Sequence, residues 1–407
     1  MIETVLCAKI ENGSIVTPKG FAAIGIHAGL RKERKDIGAI VCEVPASCGA
    51  VYTQNQFQAA PIIVTKESID TKQKLQAIVV NSANANSCTG VKGLQDAYEM
   101  RALAAKQFRV EENYVAVAST GVIGEPLPME KVRSGIFSLQ PSTEVGVATS
   151  FYEAILTTDL VAKQSCYKFS IEGKEVAIAG AAKGSGMIHP NMATMLGFIT
   201  TDVNIESETL QRALSQVTNH TFNQITVDGD TSTNDMVLVM ASGLSNTTAI
   251  YEEHPEWEKF LFAFGKVCED LAKQIAKDGE GATKLIEVNV HGSRTVEEAN
   301  MIAKQIVGSN LVKAAAFGED ANWGRIISAI GQSGIVIEPR AVDISIQSIA
   351  VLKNSEPQCF SEEEMKQMLQ QEELVIDVYL QMGKSSGRAW GCDLSYEYIK
   401  INACYRT

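Results

Sequence analysis

The stretch Lys183-Gly184-Ser185-Gly186-Met187-Ile188-His189-Pro190-Asn191-Met192-Ala193-Thr194-Met195-Leu196-Gly197 runs from a glycine-rich loop, through a junction of small and hydroxyl residues, into an apolar strand. Just upstream, residues 168–171 and 175–179 flank Glu172-Gly173-Lys174, the composition of a tight hairpin that feeds the loop. A threonine at the mouth of a strand, behind a turn-rich loop, is where a self-cleaving chain would expose a new N-terminal nucleophile. The threonine hydroxyl does not ionise near neutral pH, so an adjacent base must take its proton. A backbone amine freed at the same residue is such a base. It titrates near ~8, against ~10.4 for a lysine side chain, so at cellular pH a useful fraction of it is neutral; it is a better base than Lys183.

Working outward, β-branched runs at residues 77–80, 114–118, 236–240 and 285–290 read as strands, each leading into a polar or glycine-containing loop. Helical patterns cover residues 96–108, 208–219, 255–277 and 296–307. The last starts behind Thr295 with Glu298 three residues on, a capping box, and stops before Gly308. Residues 396–403 are apolar-rich and strand-like, which predicts a C-terminus tied into a sheet. The expected class is α/β, or α+β in layers, with sheets covered by helices. At 407 residues the chain exceeds one ordinary core, so two lobes or one large layered domain are expected.

Hydrophobic residues at 45% and charged residues at 21% match an ordinary globular protein. A net charge of −12 argues against a nucleic-acid surface, which needs clustered Lys and Arg, and favours small metabolites. The nine cysteines form no C-x-x-C pair and the five histidines no H-x-x-x-H pair, so neither a zinc site, a disulfide framework nor any other metal site is signalled. Most of the cysteines are expected to be small buried hydrophobes. The N-terminus lacks the basic lead and long apolar run of a signal peptide, and no segment has the length of a membrane span. A cytoplasmic protein with no membrane partner is the expectation.

Several turns could carry chemistry. Ala118-Ser119-Thr120-Gly121-Val122-Ile123-Gly124 follows a strand directly, where ligand sites of α/β folds tend to lie, and its amides could build an oxyanion hole. Taken alone it is more often an ordinary turn. Residues 223–235, rich in Asn, Asp and Thr, miss the spacing of a calcium loop and read as a wall held by hydrogen bonds. Asp278-Gly279-Glu280-Gly281-Ala282-Thr283 closes the long helix and puts Glu280 on an exposed loop. Asn81-Ser82-Ala83-Asn84-Ala85-Asn86-Ser87-Cys88-Thr89-Gly90 is another small polar turn. Gly318-Glu319-Asp320-Ala321-Asn322-Trp323-Gly324-Arg325 lacks the Walker lysine and the G-x-G-x-x-G pattern, so no nucleotide is proposed there.

Together these segments resemble the ArgJ family, the ornithine acetyltransferases (glutamate N-acetyltransferases) of the cyclic arginine pathway. The match is carried by residues 183–188 and 190–196, 119–124, 225–235, 318–325 and the Tyr405-Arg406-Thr407 terminus, and it covers nearly the whole chain. The resemblance implies a DmpA/ArgJ-like fold of the N-terminal-nucleophile type, with sheets sandwiched between helices. It also implies self-cleavage between Ala193 and Thr194 into an α chain of residues 1–193 and a β chain of residues 194–407, and an α2β2 assembly. By the family pattern Thr194 is the nucleophile, and Thr120 and Gly121 form the oxyanion hole. Thr157, Lys183, Thr194, Glu280, Asn402 and Thr407 contact substrate, with Thr158 adjacent to Thr157 as the other reading of that position. Ala83 and Ser87 stand where the family's turn more often has Gly and Ala.

The implied reaction moves an acetyl group from N-acetylornithine to glutamate through an acetyl-threonine, with no cofactor. Whether acetyl-CoA also serves as donor is written in no motif of the chain. Zwitterionic substrates need both charge signs, which suggests Lys183 for a carboxylate and Glu280 for an ammonium. Two alternatives are an N-terminal-nucleophile amidohydrolase or aminopeptidase, which passes its acyl group to water, and an unprocessed chain that only binds such metabolites. The self-cleavage step gives the first prediction: Thr194→Ala stays a single chain on a denaturing gel, and two bands from that variant would refute Thr194 as the residue that cuts.

Overall fold

The computed structural model describes residues 6–189 and 195–404. The chain divides into two compact units, each assembled from three segments: Met1–Gly184, Asn191–Asn219 and Thr231–Leu271 in the first, and Ser185–Pro190, His220–Asp230 and Ala272–Thr407 in the second. Both are layered sheet and helix, the expected α/β class.

Among the described residues the first unit holds a nine-stranded sheet. Its strands are β1 (Ala8–Lys9), β2 (Phe21–Ile26), β3 (Ile37–Tyr52), β4 (Lys74–Asn84), β5 (Val115–Val122), β6 (Lys163–Ile171), β7 (Lys174–Lys183), β8 (Leu196–Thr201) and β10 (Met236–Ala241). They run in the order β1-β6-β7-β8-β10-β3-β4-β5, with β2 against β3. The continuous apolar runs of β4 and β5 follow from burial on both faces. Ala77, Val79, Val115 and Val117 pack on one side with Ala97 and Met100 of the helix Gly90–Phe108, and with Val132 and Ile136 of the helix Met129–Ser138. Ile78, Val80, Ala116 and Ala118 share the opposite face with Phe151, Tyr152 and Ile155. The helix Gly90–Phe108 begins well before the expected start at residue 96; its first turns hold two glycines, poor helix formers, which hide the start in the sequence.

The expected hairpin joins β6 to β7. Ile171 pairs with Lys174, which leaves Glu172 and Gly173 as a two-residue loop with φ of 52° and 73°. Two positive φ values in succession match the right-handed twist of the flanking strands.

In the second unit a seven-stranded sheet runs β14-β13-β12-β15-β11-β16-β9 among the described residues, with β9 (Ile225–Thr226), β11 (Leu285–Ser293), β12 (Val342–Ile346), β13 (Ile349–Lys353), β14 (Glu356–Pro357), β15 (Glu373–Leu380) and β16 (Ser385–Cys392). Val288, Ile344, Ile376 and Val378 form one core with Ile302 and Ile306 of the helix Val296–Gly308 and Ile326 and Ile330 of the helix Trp323–Gly331. The capping box expected at Thr295 is half built. The Thr295 hydroxyl accepts the Glu298 amide N–H at 3.2 Å, while the Glu298 carboxylate turns to Arg294 at 2.8 Å.

One expectation fails outright. Residues 396–403 form not a strand but the helix Tyr396–Ala403. Ser395 caps it by accepting the Glu397 N–H at 3.2 Å, Glu397 pairs with Lys400 one turn on, and the Asn402 amide donates to the Tyr398 carbonyl at 3.1 Å. No helix among the described residues is long and apolar enough to cross a membrane.

At the end of β4, Ala83 adopts φ 140° beside Gly121 of β5, whose own φ is 128°. A side chain there costs about 1–3 kcal/mol in strain, whereas glycine would give up only about 0.5–1 kcal/mol of chain entropy. The strain outweighs the entropy, so Ala83→Gly is expected to raise the midpoint of a thermal melt by a few degrees. An unchanged or lowered midpoint would show that Ala83 is not strained.

Candidate active site

Thr120 and Gly121 are the last-but-two and last-but-one residues of β5, paired in parallel register with Ser82 and Ala83 of β4. Thr120 is buried. A Cβ on Gly121 would collide with the Ala83 carbonyl, so only glycine lets the two strand ends approach this closely. The buried Asn234 braces the same place: its side-chain amide donates to the Ser119 carbonyl at 2.9 Å and to the Ala85 carbonyl. The expected turn is therefore a pair of strand ends cross-braced by a residue from the polar 223–235 segment.

Thr157 sits in the turn after the helix Ser150–Ile155. Its N–H donates to Asp159 Oδ2 at 2.8 Å and its hydroxyl to the same oxygen at 3.4 Å. Its carbonyl accepts from the Arg31 guanidinium at 3.0 Å. Arg31 itself lies on a loop ordered by the fully buried Asp36, which accepts the Ala28 and Arg31 amides at 2.6 and 2.9 Å. Lys183 ends β7 opposite Leu196, with its side chain buried.

Sequence reasoning missed the group that joins these two. The other oxygen of Asp159, Oδ1, accepts from Lys163 Nζ at 2.7 Å and from the Gly184 N–H at 2.7 Å. Burial pushes the Asp159 carboxyl up, but the Lys183 and Lys163 ammoniums overcome it and hold the group well below the usual carboxylate range. Asp235 behaves oppositely. Burial drives its carboxyl well above the usual range against the opposing pull of the Ser232 hydroxyl and Lys183, and Oδ2 has no hydrogen-bond partner among the described residues. Lys163 and Lys183 thus both act on the Asp159 carboxylate and offset the burial that would otherwise raise it.

Glu280 corrects a second expectation: it is buried, not on an exposed loop. Its N–H donates to the Ser185 carbonyl at 2.8 Å and its Oε2 accepts from the Asn402 amide at 2.8 Å. Gly186 makes room for it, since a Cβ there would overlap the Glu280 carboxyl. Asn402 reaches it from the C-terminal helix that replaced the expected strand. Glu280 and Asn402 are thus brought together, as are Thr157 and Lys183 through Asp159.

The segment Ser185–Ile188, ahead of the expected cut, is tied by Asp228, which accepts the Met187 and Ile188 amides at 2.6 and 2.9 Å. The Thr226 hydroxyl donates to the Ile188 carbonyl at 3.1 Å, so its contact with His189 Nδ1 at 3.0 Å must be accepted from the ring. That places the His189 proton on Nδ1. Burial, with Lys304 nearby, lowers the imidazole to about 4, and it stays neutral at cellular pH. Ala193, Thr194 and Thr407 lie outside the described residues. No group of three His, Cys, Asp or Glu side chains that could hold a metal is found among the described residues, and five of the nine cysteines are buried.

Comparison with known proteins gives a consistent result. The model of the ArgJ family matches residues 22–407. The arginine biosynthesis bifunctional protein ArgJ of Bacillus thuringiensis is 71% identical over 407 residues, covering all of both chains. The protein of the same name from Geobacillus kaustophilus is 62% identical over 405 residues, covering 100% of this chain and 99% of its own. Among solved structures, the crystal structure of that bifunctional protein from Bacillus halodurans is 58% identical, covering 46% of this chain and 98% of its own at a TM-score of 0.46. An ornithine acetyltransferase complexed with ornithine from Mycobacterium tuberculosis is 30% identical, covering 46% of this chain and all of its own at a TM-score of 0.43. Matched by the family model along almost its whole length and by close relatives end to end, the chain belongs to the ArgJ family.

Proposed function

We infer that the chain is an acetyltransferase of arginine biosynthesis that moves the acetyl group of N2-acetyl-L-ornithine to L-glutamate, releasing L-ornithine and N-acetyl-L-glutamate. It also takes acetyl-CoA as donor to glutamate, and acetyl-CoA enters as a co-substrate rather than a resident cofactor. The observation that carries this reading is identity of 71% across the full length of a relative named as the bifunctional protein of arginine biosynthesis. The cytoplasm, where amino acids are built, is the compartment this reading assigns, and small molecules are the partners.

In the proposed maturation the Thr194 hydroxyl attacks the Ala193 carbonyl, the acyl group shifts from nitrogen to oxygen, and water hydrolyses the ester. The bond between residues 193 and 194 is broken, leaving a carboxylate on Ala193 and a free amine on Thr194. The α and β chains stay associated, and the assembly is α2β2. In turnover the Thr194 amine takes the hydroxyl proton as the oxygen attacks the acetyl carbonyl of acetylornithine. The oxyanion rests on Thr120 and Gly121, ornithine departs with the proton, and the glutamate amine then takes the acetyl group, restoring the hydroxyl. Thr157, Lys183, Glu280, Asn402 and Thr407 contact substrate, with Lys183 on a carboxylate and Glu280 on an ammonium. The close approach of Gly121 to Ala83 and the burial of Lys183 and Glu280 support these roles.

The direct test is to supply acetylornithine with glutamate, with water alone, and to supply acetyl-CoA with glutamate. Acetylglutamate from both donors is expected; release of acetate with no acetylglutamate would indicate an amidohydrolase instead. Gly121→Ala, which forces the strand ends apart, should lower kcat by about 10²–10³, the usual loss of one oxyanion donor, and an unchanged kcat would remove Gly121 from the mechanism. For Glu280→Gln the expected outcome is a raised KM for acetylornithine. KM and kcat both at their unmutated values would sink the pairing of Glu280 with the substrate ammonium.

A further inference from the structure

The 157–163 turn contains a buried ion pair that the reaction scheme leaves unused. Asp159 and Lys163 are both fully buried, four residues apart, and joined at 2.7 Å. Such spacing usually marks an exposed helical pair; here Lys163 instead opens β6, opposite Ala182 and thus next to Lys183 in the strand ladder. A buried pair of this kind gains little for stability over apolar packing of the same volume. What it does in this fold is geometric, because its carboxylate is saturated by groups from both sides of the candidate site.

We propose that Asp159 is a positioning residue for acetyl transfer, fixing Thr157 and Lys183 relative to each other so that both meet one substrate. One oxygen holds the Thr157 amide and hydroxyl, at 2.8 and 3.4 Å; the other holds the amide of Gly184, the residue after Lys183, and the Lys163 ammonium, both at 2.7 Å. Lys163 neutralises the carboxylate from beneath, and Arg31 and Arg34 hold the Thr157 and Asp159 carbonyls at 3.0 and 3.4 Å. The Lys183 ammonium acts on the same carboxylate and keeps it ionised. The inference rests on the reading that Thr157 and Lys183 contact substrate.

The charged groups around Lys183 set the sign of the test. Among the described residues they include Asp159, Lys163 and Asp235, with Arg31 and Arg34 beyond the Thr157 turn. Burial raises the Asp235 carboxyl, whereas Asp159 is held in its charged form, so Asp159 is the anion that favours the charged form of Lys183. Asp159→Asn keeps the shape and removes that charge, and the lysine then loses its proton at lower pH.

The experiment measures KM, kcat and the pH profile of kcat/KM for acetylornithine in the full chain carrying Asp159→Asn, Asp159→Glu or Lys183→Met. The expected result for Asp159→Asn is a KM raised about tenfold or more, with the alkaline limb of kcat/KM moved to lower pH by about one unit. Asp159→Glu should return the limb to its original place while KM stays raised, because charge is restored and geometry is not. A role in folding alone would lower the yield of active protein and leave both KM and the limb where they were, and that outcome overturns the proposal. Where Asp159→Asn fails to fold, Asp159→Glu decides by itself: a raised KM with an unmoved limb supports the proposal, and an unmutated KM overturns it. Lys183→Met separates the two readings. If it leaves KM unchanged, Lys183 is not a substrate contact and the underlying reading falls; if it raises KM while Asp159→Asn does not, only the role of Asp159 falls.

Discussion

The middle of the first unit's sheet is registered by one short strand. All six residues of β8, Leu196–Thr201, are buried, and the strand is hydrogen-bonded on both sides, antiparallel to β7 and parallel to β10. A slip of one residue would turn every side chain of such a strand to the wrong face, so its register is tightly set. That register puts Lys183 and Met236 on either side of Leu196, and the Met236 amide reaches the Met195 carbonyl at 3.0 Å. Among the described residues the ladder of β8 begins at Leu196, after the bond proposed to break.

The same row of residues gathers the charge. Lys183, Lys163 and Asp159 are buried together at the ends of β7 and β6, with Asp235 immediately before β10. Burial opposes every charge, so a group stays ionised only where partners compensate. Asp159 has two ammoniums and two amide donors and remains a carboxylate; at Asp235 burial outweighs the opposing partners and raises the carboxyl well above its usual range. Two residues of one type are thus shifted in opposite directions by their surroundings.

Much of this was legible in the chain, for definable reasons. Strands buried on both faces leave unbroken apolar runs, and the Glu172-Gly173 turn carries the glycine its φ requires. The polar 223–235 segment reads as a wall held by hydrogen bonds, and within it the buried Asn234 bonds to the Ser119 and Ala85 carbonyls. The C-terminal helix was not legible, because eight residues alternating Tyr, Glu, Tyr, Ile, Lys and Ile fit a strand as readily as two helical turns. The burial of Glu280 depends on Gly186, a residue remote in sequence, and a loop rich in glycine gives no hint of it. Asp159 and Lys163 carry no local sign of burial; the pairing of β6 with β7 goes with their place inside. Family resemblance named substrate contacts, but a positioning residue touches no substrate and leaves no such motif.

The central claim is that the chain cuts itself before Thr194 and carries acetyl on that residue. Intact-mass analysis of the denatured protein, after incubation with acetylornithine and no glutamate, tests it most directly. The account predicts two fragments, residues 1–193 and 194–407, with the second heavier by one acetyl group located on Thr194 and unmodified again once glutamate is added. A single uncut chain, or an acetyl group on any other residue, would contradict it.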